Sequence, residues 1–143
     1  MGSLIARALA NLREGRMQRL LAATTALSAP PLAVEIYLEH YKGSFGDKWM
    51  WTPIVLTPPL TLAGIAGFVS PKAARTALPV LGALYALDGL IGVYTHARGV
   101  WKRPGGFSEA HYNLVMGPPL LAPGSLAMVG GMGVLAAFMR RER

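Results

Sequence analysis

The chain has 143 residues, of which 52% are hydrophobic and 15% charged, whereas a soluble domain has about 25% charged residues, so its composition indicates a protein that faces lipid. It contains no cysteine, which excludes disulfides, thiolate metal sites and cysteine nucleophiles. The net charge of +7 comes from basic residues that flank apolar runs, and this pattern favours anionic lipid headgroups as the partner and excludes a nucleic-acid face.

Residues 1–18 are predicted to form a short amphipathic helix. Leu4, Ile5, Leu9 and Leu12 recur at helical spacing among polar and basic residues. A helix of this kind lies in the plane of a membrane interface, with its apolar face toward the acyl chains. We therefore expect this segment to rest on the membrane surface and to lead into the first span.

Residues 19–143 are predicted to form one domain of four membrane-spanning helices. A span requires about 20 mostly apolar residues. The segments that meet this requirement are residues 20–41, 49–69, 76–97 and 112–139. The predicted fold is an all-α integral membrane four-helix bundle.

The distribution of lysine and arginine predicts the orientation of the bundle. Nine of the 14 basic residues fall on the side of the membrane that holds both termini, and five fall on the other side. Cytoplasmic segments carry the excess of these residues. We therefore expect an integral membrane protein, typical of a bacterial inner membrane, with both termini cytoplasmic. All three tryptophans, Trp49, Trp51 and Trp101, lie at the predicted outer edge, as an interfacial aromatic belt would.

Two halves of the chain resemble each other. The matching strings are "HYKG" at 40–43 with "HARG" at 96–99, "GSFGDKWM" at 43–50 with "GGFSEAHY" at 105–112, and "TPPL" at 57–60 with "GPPL" at 117–120. The simplest interpretation is a duplicated helical hairpin, with the two copies related by an axis along the membrane normal. His40 and His96 would then be equivalent positions at the same depth.

Ionisable residues gather in the outer half of the predicted bundle. A carboxylate at membrane depth is costly and normally faces the bundle interior or a partner. The residues concerned are Glu35, Glu39, His40, Asp88, His96 and His111. The inner half contains none of these residue types, so the outer half is the place to look for a site.

Several interpretations fit this cluster. His40 and His96 are candidate axial ligands of a b-type haem, because facing histidines on bundle helices suit haem iron. Glu39, His40, His96 and His111 are candidate ligands of a transition metal ion. The proline pairs at 30–31, 58–59 and 118–119 are expected to kink three spans, and the resulting cavity could hold a quinone or another hydrophobic ligand.

The function predicted from these features is that of an accessory or anchor subunit of a membrane complex, redox-linked through one of these ligands. Its partners would be the lipid bilayer and either other membrane-protein subunits or further copies of the chain. The alternative is a small membrane enzyme in which Glu35 or Asp88 works with a histidine as an acid and base on a lipid-soluble substrate. In the simplest interpretation the histidines and aromatic residues only anchor the helix ends at the headgroups.

Overall fold

A computed structural model describes residues 2–142 of the chain, and these residues are helical with short connections. The α-helices are α1 (Gly2–Arg13), α2 (Met17–Lys42), α3 (Thr52–Val69), α4 (Pro71–Arg75), α5 (Ala77–Trp101), α6 (Ala110–Val115) and α7 (Leu121–Phe138). Two 3-10 turns, Lys48–Trp51 and Gly106–Glu109, precede α3 and α6. No β-strand occurs between residues 2 and 142, so the all-α prediction is confirmed for this part of the chain.

Four of the helical segments are long and apolar enough to cross a membrane. They are Met17–Lys42, Lys48–Val69, Ala77–Trp101 and Leu121–Phe138, with 26, 22, 25 and 18 residues. At 1.5 Å per residue a helix of 18 residues is about 27 Å long, close to the thickness of a bilayer's hydrocarbon core. Four apolar helices of this length were predicted from the sequence.

The segment predicted as the fourth span, residues 112–139, forms two helices instead of one. α6 ends at Val115, and α7 begins at Leu121, after Gly117, Pro118 and Pro119. The equivalent pair Pro58–Pro59 stays inside α3, where the preceding Thr57 donates its hydroxyl to the carbonyl of Pro53 at 2.7 Å. Glycine has a low helix propensity, and a residue before proline is pushed toward extended backbone, so the glycine at 117 lets the chain break.

The long helices alternate in direction and form a four-membered ring. α2 packs against α3 and α7, and α5 packs against the same two helices. α2 and α5 are therefore diagonally opposite. We call the end where α2 and α5 finish the histidine end, and the opposite end, which holds both chain termini, the terminal end.

Alanines and a few large side chains fill the interior of the ring. The buried core includes Ala22, Ala29, Ala63, Ala136, Leu60, Leu78, Tyr85 and Leu126. Large apolar side chains point outward, and Leu27, Leu121 and Phe138 are each more than 70% exposed. In water this distribution would be unfavourable, because it leaves the larger apolar surface unburied.

The chain ends are tied together at the terminal end. Arg141 donates hydrogen bonds to the carbonyls of Gly67 at 2.9 Å and Phe68 at 2.5 Å, at the C-terminus of α3. Gln18 at the start of α2 donates to the carbonyls of Ala136 at 2.9 Å and Met139 at 3.1 Å. The Arg141 contacts satisfy carbonyls in the last turn of α3, where the helix offers no further N–H groups. They close the end of the bundle that lies away from the histidines.

Candidate functional site

His40 and His96 meet at the histidine end. His40 lies in the last turn of α2, and His96 lies five residues before the end of the diagonal helix α5. Their ring centres are 6.4 Å apart, and the ring planes are nearly perpendicular at 80°. The two histidines that open the repeated sequence strings are therefore neighbours in space, although 56 positions separate them in the sequence.

Each of these histidines is held by a backbone carbonyl that precedes the next long helix. His40 Nδ1 is 3.0 Å from the carbonyl oxygen of Met50, and His96 Nδ1 is 2.6 Å from that of Pro119. A carbonyl oxygen only accepts hydrogen bonds, so both Nδ1 atoms carry the proton and donate it. In a neutral imidazole this leaves Nε2 with a free lone pair. The site thus presents two similarly held rings, in each of which Nε2 is the nitrogen that a ligand could use.

A polar chain continues from the histidines into the bundle. The carboxyl group of Asp88 is close enough to the His40 ring to interact with it electrostatically. Asp88 Oδ1 accepts a hydrogen bond of 2.6 Å from the hydroxyl of Thr52, which links α5 to α3. One turn deeper in α5, the hydroxyl of Tyr85 lies 3.0 Å from that of Thr57. This arrangement gives the carboxylate a partner inside the apolar bundle.

An aromatic cluster covers one side of His40. The connection after α2 turns sharply, since Ser44 and Phe45 have positive φ angles of 56° and 47°. This turn stacks Phe45 on Trp51 with ring centres 4.1 Å apart, and the Phe45 ring centre is 6.0 Å from that of His40. Non-glycine residues adopt such φ angles rarely, so the loop conformation is held at some cost. The cluster shields His40 from the surroundings of the bundle.

Three predicted site residues do not form a ligand group with this pair. Glu35 and His111 are exposed. Glu39 forms an ion pair with Lys42, one turn along the same helix. Within the described part of the chain, no three histidine, aspartate or glutamate side chains are grouped so that they could hold one metal ion. The four-ligand set of Glu39, His40, His96 and His111 is therefore not assembled here, and the haem-ligand pair His40 and His96 is the part that comes together.

Three residues with contacts at the histidine end were not identified from the sequence, namely Thr52, Phe45 and Asn113. Thr52 had no distinguishing motif, and its role depends on α3 lying beside α5. Phe45 was noted only as a matched position in the repeat, and this match was the one available signal. Asn113, buried at the start of the predicted fourth span, donates to the carbonyls of Pro104 at 3.0 Å and Gly106 at 2.8 Å. An asparagine among apolar residues next to a proline pair is a signal that could have identified it.

Two surface cavities lie away from the histidine pair. A shallow groove of about 270 Å³ is lined by Tyr94, Ala97, Arg98, Trp101 and Phe107. A charged cavity of about 500 Å³ at the terminal end is lined by Glu14, Arg140, Arg141 and Glu142. No known protein family, curated protein or solved structure matches the chain significantly, so its function has to be inferred from its own residues.

Proposed function

We propose that this chain is a non-catalytic subunit of a membrane complex, with four spans and a ligand site at its outer face. The observation that carries the proposal is the meeting of His40 and His96, with both Nδ1 atoms bonded to carbonyls, so that Nε2 is the ring nitrogen left for a ligand in each. Such a pair suits a redox-linked ligand, for which haem, a metal ion and a quinone are the candidates. The subunit would hold this ligand beside a partner that carries out the chemistry.

Membrane insertion is supported by the side chains that surround the ring. Exposed leucine, isoleucine, valine and phenylalanine side chains occur along all four long helices. Lipid acyl chains are as apolar as these side chains, so a bilayer removes the cost of exposing them. Partner subunits or a second copy of this chain would contact the same faces, replacing lipid.

The orientation rests on charge and on aromatic residues. The basic residues of α1, of the α1–α2 turn, of α4 and of the C-terminus lie at the terminal end, which the excess of positive charge assigns to the cytoplasm. Trp49, Trp51 and Trp101 lie at the histidine end and are 66%, 43% and 66% exposed, as belt residues at the outer interface would be. The ligand site would then open toward the outside of a bacterial inner membrane.

The ring arrangement supports the duplication. A twofold axis through the middle of the ring would exchange α2 with α5 and α3 with α7, and the observed neighbours agree with this exchange. Both outer connections contain a 3-10 turn. The matched positions Ser44 and Gly106 both have positive φ, 56° and 49°. These features fit two hairpins of common origin, the second of which carries an insertion.

An accessory role is better supported than the enzyme alternative. Of the two candidate acids, Glu35 is exposed on α2, and Asp88, which lies near His40, already accepts the Thr52 hydroxyl. The two cavities described above are not lined by either of them. A catalytic carboxyl group needs a substrate within hydrogen-bond reach, and the geometry offers Asp88 a structural partner instead.

Single-cysteine labelling tests the orientation, and it is simple because the chain has no cysteine of its own. Ser44→Cys lies at the histidine end and Thr76→Cys at the terminal end, and both positions are exposed. In intact cells we expect a membrane-impermeant maleimide to label Ser44→Cys alone, and Thr76→Cys only after lysis. Labelling in the reverse pattern would contradict the proposed outer site.

The ligand role is tested by replacing the histidines in turn. Whatever chromophore or metal accompanies the purified protein should be lost to the same extent in His40→Ala and His96→Ala, because the two rings are equivalent. His111→Ala is the matched control, since this third histidine is exposed and apart from the pair. A severe loss in one variant and none in the other would contradict the paired site.

A further inference from the structure

We propose that His40 and His96 bind one cuprous ion, linearly, between their two Nε2 atoms. This inference deepens the proposed function by naming the ligand of the same site, and so it rests on the paired-histidine site described there. It depends on the spacing of the rings, on their hydrogen bonds, on the charges beside them and on the number of ligands that the bundle supplies.

The spacing of the rings is that of a single bridging ion when the Nε2 atom of each ring faces the other ring. An imidazole nitrogen lies about 1.15 Å from its ring centre and binds a first-row metal ion at about 2.0 Å, so two rings in line on one ion have centres about 6.3 Å apart. The observed separation is 6.4 Å. Rotation about the nitrogen–metal axis leaves this distance unchanged, so the 80° angle between the planes is compatible with it.

The hydrogen bonds select the nitrogens that would bind the ion. A metal-binding histidine usually donates its second ring N–H to a carbonyl or carboxylate, which fixes the ring and its tautomer. His40 and His96 each make such a bond from Nδ1, to Met50 and Pro119. Both residues can keep these Nδ1 hydrogen bonds when Nε2 binds a metal ion.

The charges around the pair favour a monovalent ion. The carboxyl groups of Asp88 and Glu39 are close enough to the His40 ring to interact with it electrostatically, and Asp88 is hydrogen-bonded to the Thr52 hydroxyl. Glu39 is already paired with Lys42. A cuprous ion brings one positive charge to this end of the bundle, whereas Zn²⁺ or Cu²⁺ would bring two, and burial of the larger charge among apolar helices costs more.

The number of ligands also points to copper(I). Structural zinc sites are almost always tetrahedral and need four ligands, whereas cuprous ions accept two nitrogens in line. In the described residues the pair is not joined by a third histidine or carboxylate at metal distance. Haem would need a flat space between the rings, but the links His40–Met50, Thr52–Asp88 and His96–Pro119 draw the helix ends together around them.

The test is an anaerobic competition titration of the purified full-length protein in detergent, with copper(I) and a chromophoric cuprous chelator. We expect one copper ion per chain. Loss of either ligand in His40→Asn or His96→Asn should weaken binding by more than about 100-fold, because loss of an outer-shell partner alone costs 10–100-fold. Asparagine can still donate to the carbonyl that the histidine Nδ1 bonds, so these variants remove the ligand nitrogen while keeping a hydrogen bond available.

Two further variants and one spectrum make the outcome decisive. His111→Asn should bind copper like the original chain, and Asp88→Asn should bind it about 10-fold more weakly, as expected for a partner outside the ligand shell. The X-ray absorption edge of the copper complex should show the feature of a linear two-coordinate cuprous ion. Thermal unfolding of each variant checks that it is folded.

Three results would overturn the copper assignment: no copper bound, Zn²⁺ bound as tightly as copper(I), or a haem spectrum in the isolated protein. None of these would move the histidine pair from the outer face, so the proposed function would stand with another ligand. Conversely, labelling of Ser44→Cys from the cytoplasm would contradict the proposed orientation whether or not copper binds.

Discussion

At the scale of single residues, hydroxyl groups inside this bundle satisfy each other's hydrogen bonds. Thr57 donates its proton to the carbonyl of Pro53, so its oxygen is left to accept, and Tyr85 is the donor in the 3.0 Å contact between them. Tyr85 has no solvent exposure. Replacing it with phenylalanine removes this one buried hydrogen bond and keeps the ring. We expect Tyr85→Phe to lower the stability of the protein in detergent by about 1 kcal/mol.

The matched control for this variant is Tyr94→Phe. Tyr94 lies on the same helix, nine residues further on, and is 66% exposed. Its hydroxyl faces the surroundings of the bundle, so its removal should leave the unfolding midpoint unchanged. Equal effects of the two substitutions on the midpoint would show that the Tyr85–Thr57 contact contributes nothing beyond the general loss of a hydroxyl.

The sequence predicted the candidate residues better than it predicted their partners. His40 and His96 could be paired because the strings around them match, and a repeat places equivalent residues at equivalent heights. Glu35 had the same carboxyl chemistry as Asp88, yet it is exposed on α2. Which face of a span is buried cannot be read from a helix that is apolar all round, because such a helix has no dominant hydrophobic face.

At the scale of helices, α5 and α7 approach closely because glycines remove the side chains between them. A Cβ atom added at Gly89 would lie 2.5 Å from the backbone nitrogen of Ala127 and 2.7 Å from the carbonyl oxygen of Pro123. Backbone atoms cannot move aside as a flexible side chain can, so the helices would have to separate. We expect Gly89→Ala to destabilise the protein by about 1–3 kcal/mol, measured by unfolding in a denaturing detergent.

Gly131→Ala is the control for this prediction. It adds the same methyl group to α7, where nothing lies within 4 Å of the new atom. Alanine favours helix over glycine by up to about 1 kcal/mol, so this variant should be unchanged or slightly more stable. If Gly131→Ala were as destabilising as Gly89→Ala, close packing of α5 on α7 would not be the cause.

The four apolar spans were predictable, but one of the three proline pairs was not recognised as a break, so the fourth helix is shorter than expected. A run of about 20 apolar residues is a strong signal, and it gave four helices in the right order. The three proline pairs look alike in sequence, and only the tertiary environment separates them. Thr57 before Pro58 bonds to the preceding turn, whereas glycine at 117 has no side chain that could do so. The break also lets the carbonyl of Pro119 reach His96.

At the scale of the whole molecule, the site exists only because two hairpins come together. α2 and α3 contribute His40 and Thr52, and α5 contributes His96 and Asp88. Apolar helices in lipid have little preference for one neighbour over another. Hydropathy therefore cannot predict which helices become neighbours in the ring and which lie on its diagonals. The contacts of α2 with α7 and of α3 with α5 settle this, and they are made between the halves.

A protein divided between Arg75 and Thr76 tests whether these contacts assemble the site. We expect the co-expressed halves, residues 1–75 and 76–143, to co-purify through a tag on the first half, because the contacts between the hairpins do not require the α4–α5 connection. The pair should bind one copper ion, since each half supplies one histidine. A second half carrying His96→Asn is the control: it should co-purify equally but bind copper more than about 100-fold more weakly. Halves that never co-purify would show that the covalent connection, and not the packing between hairpins, brings His40 and His96 together.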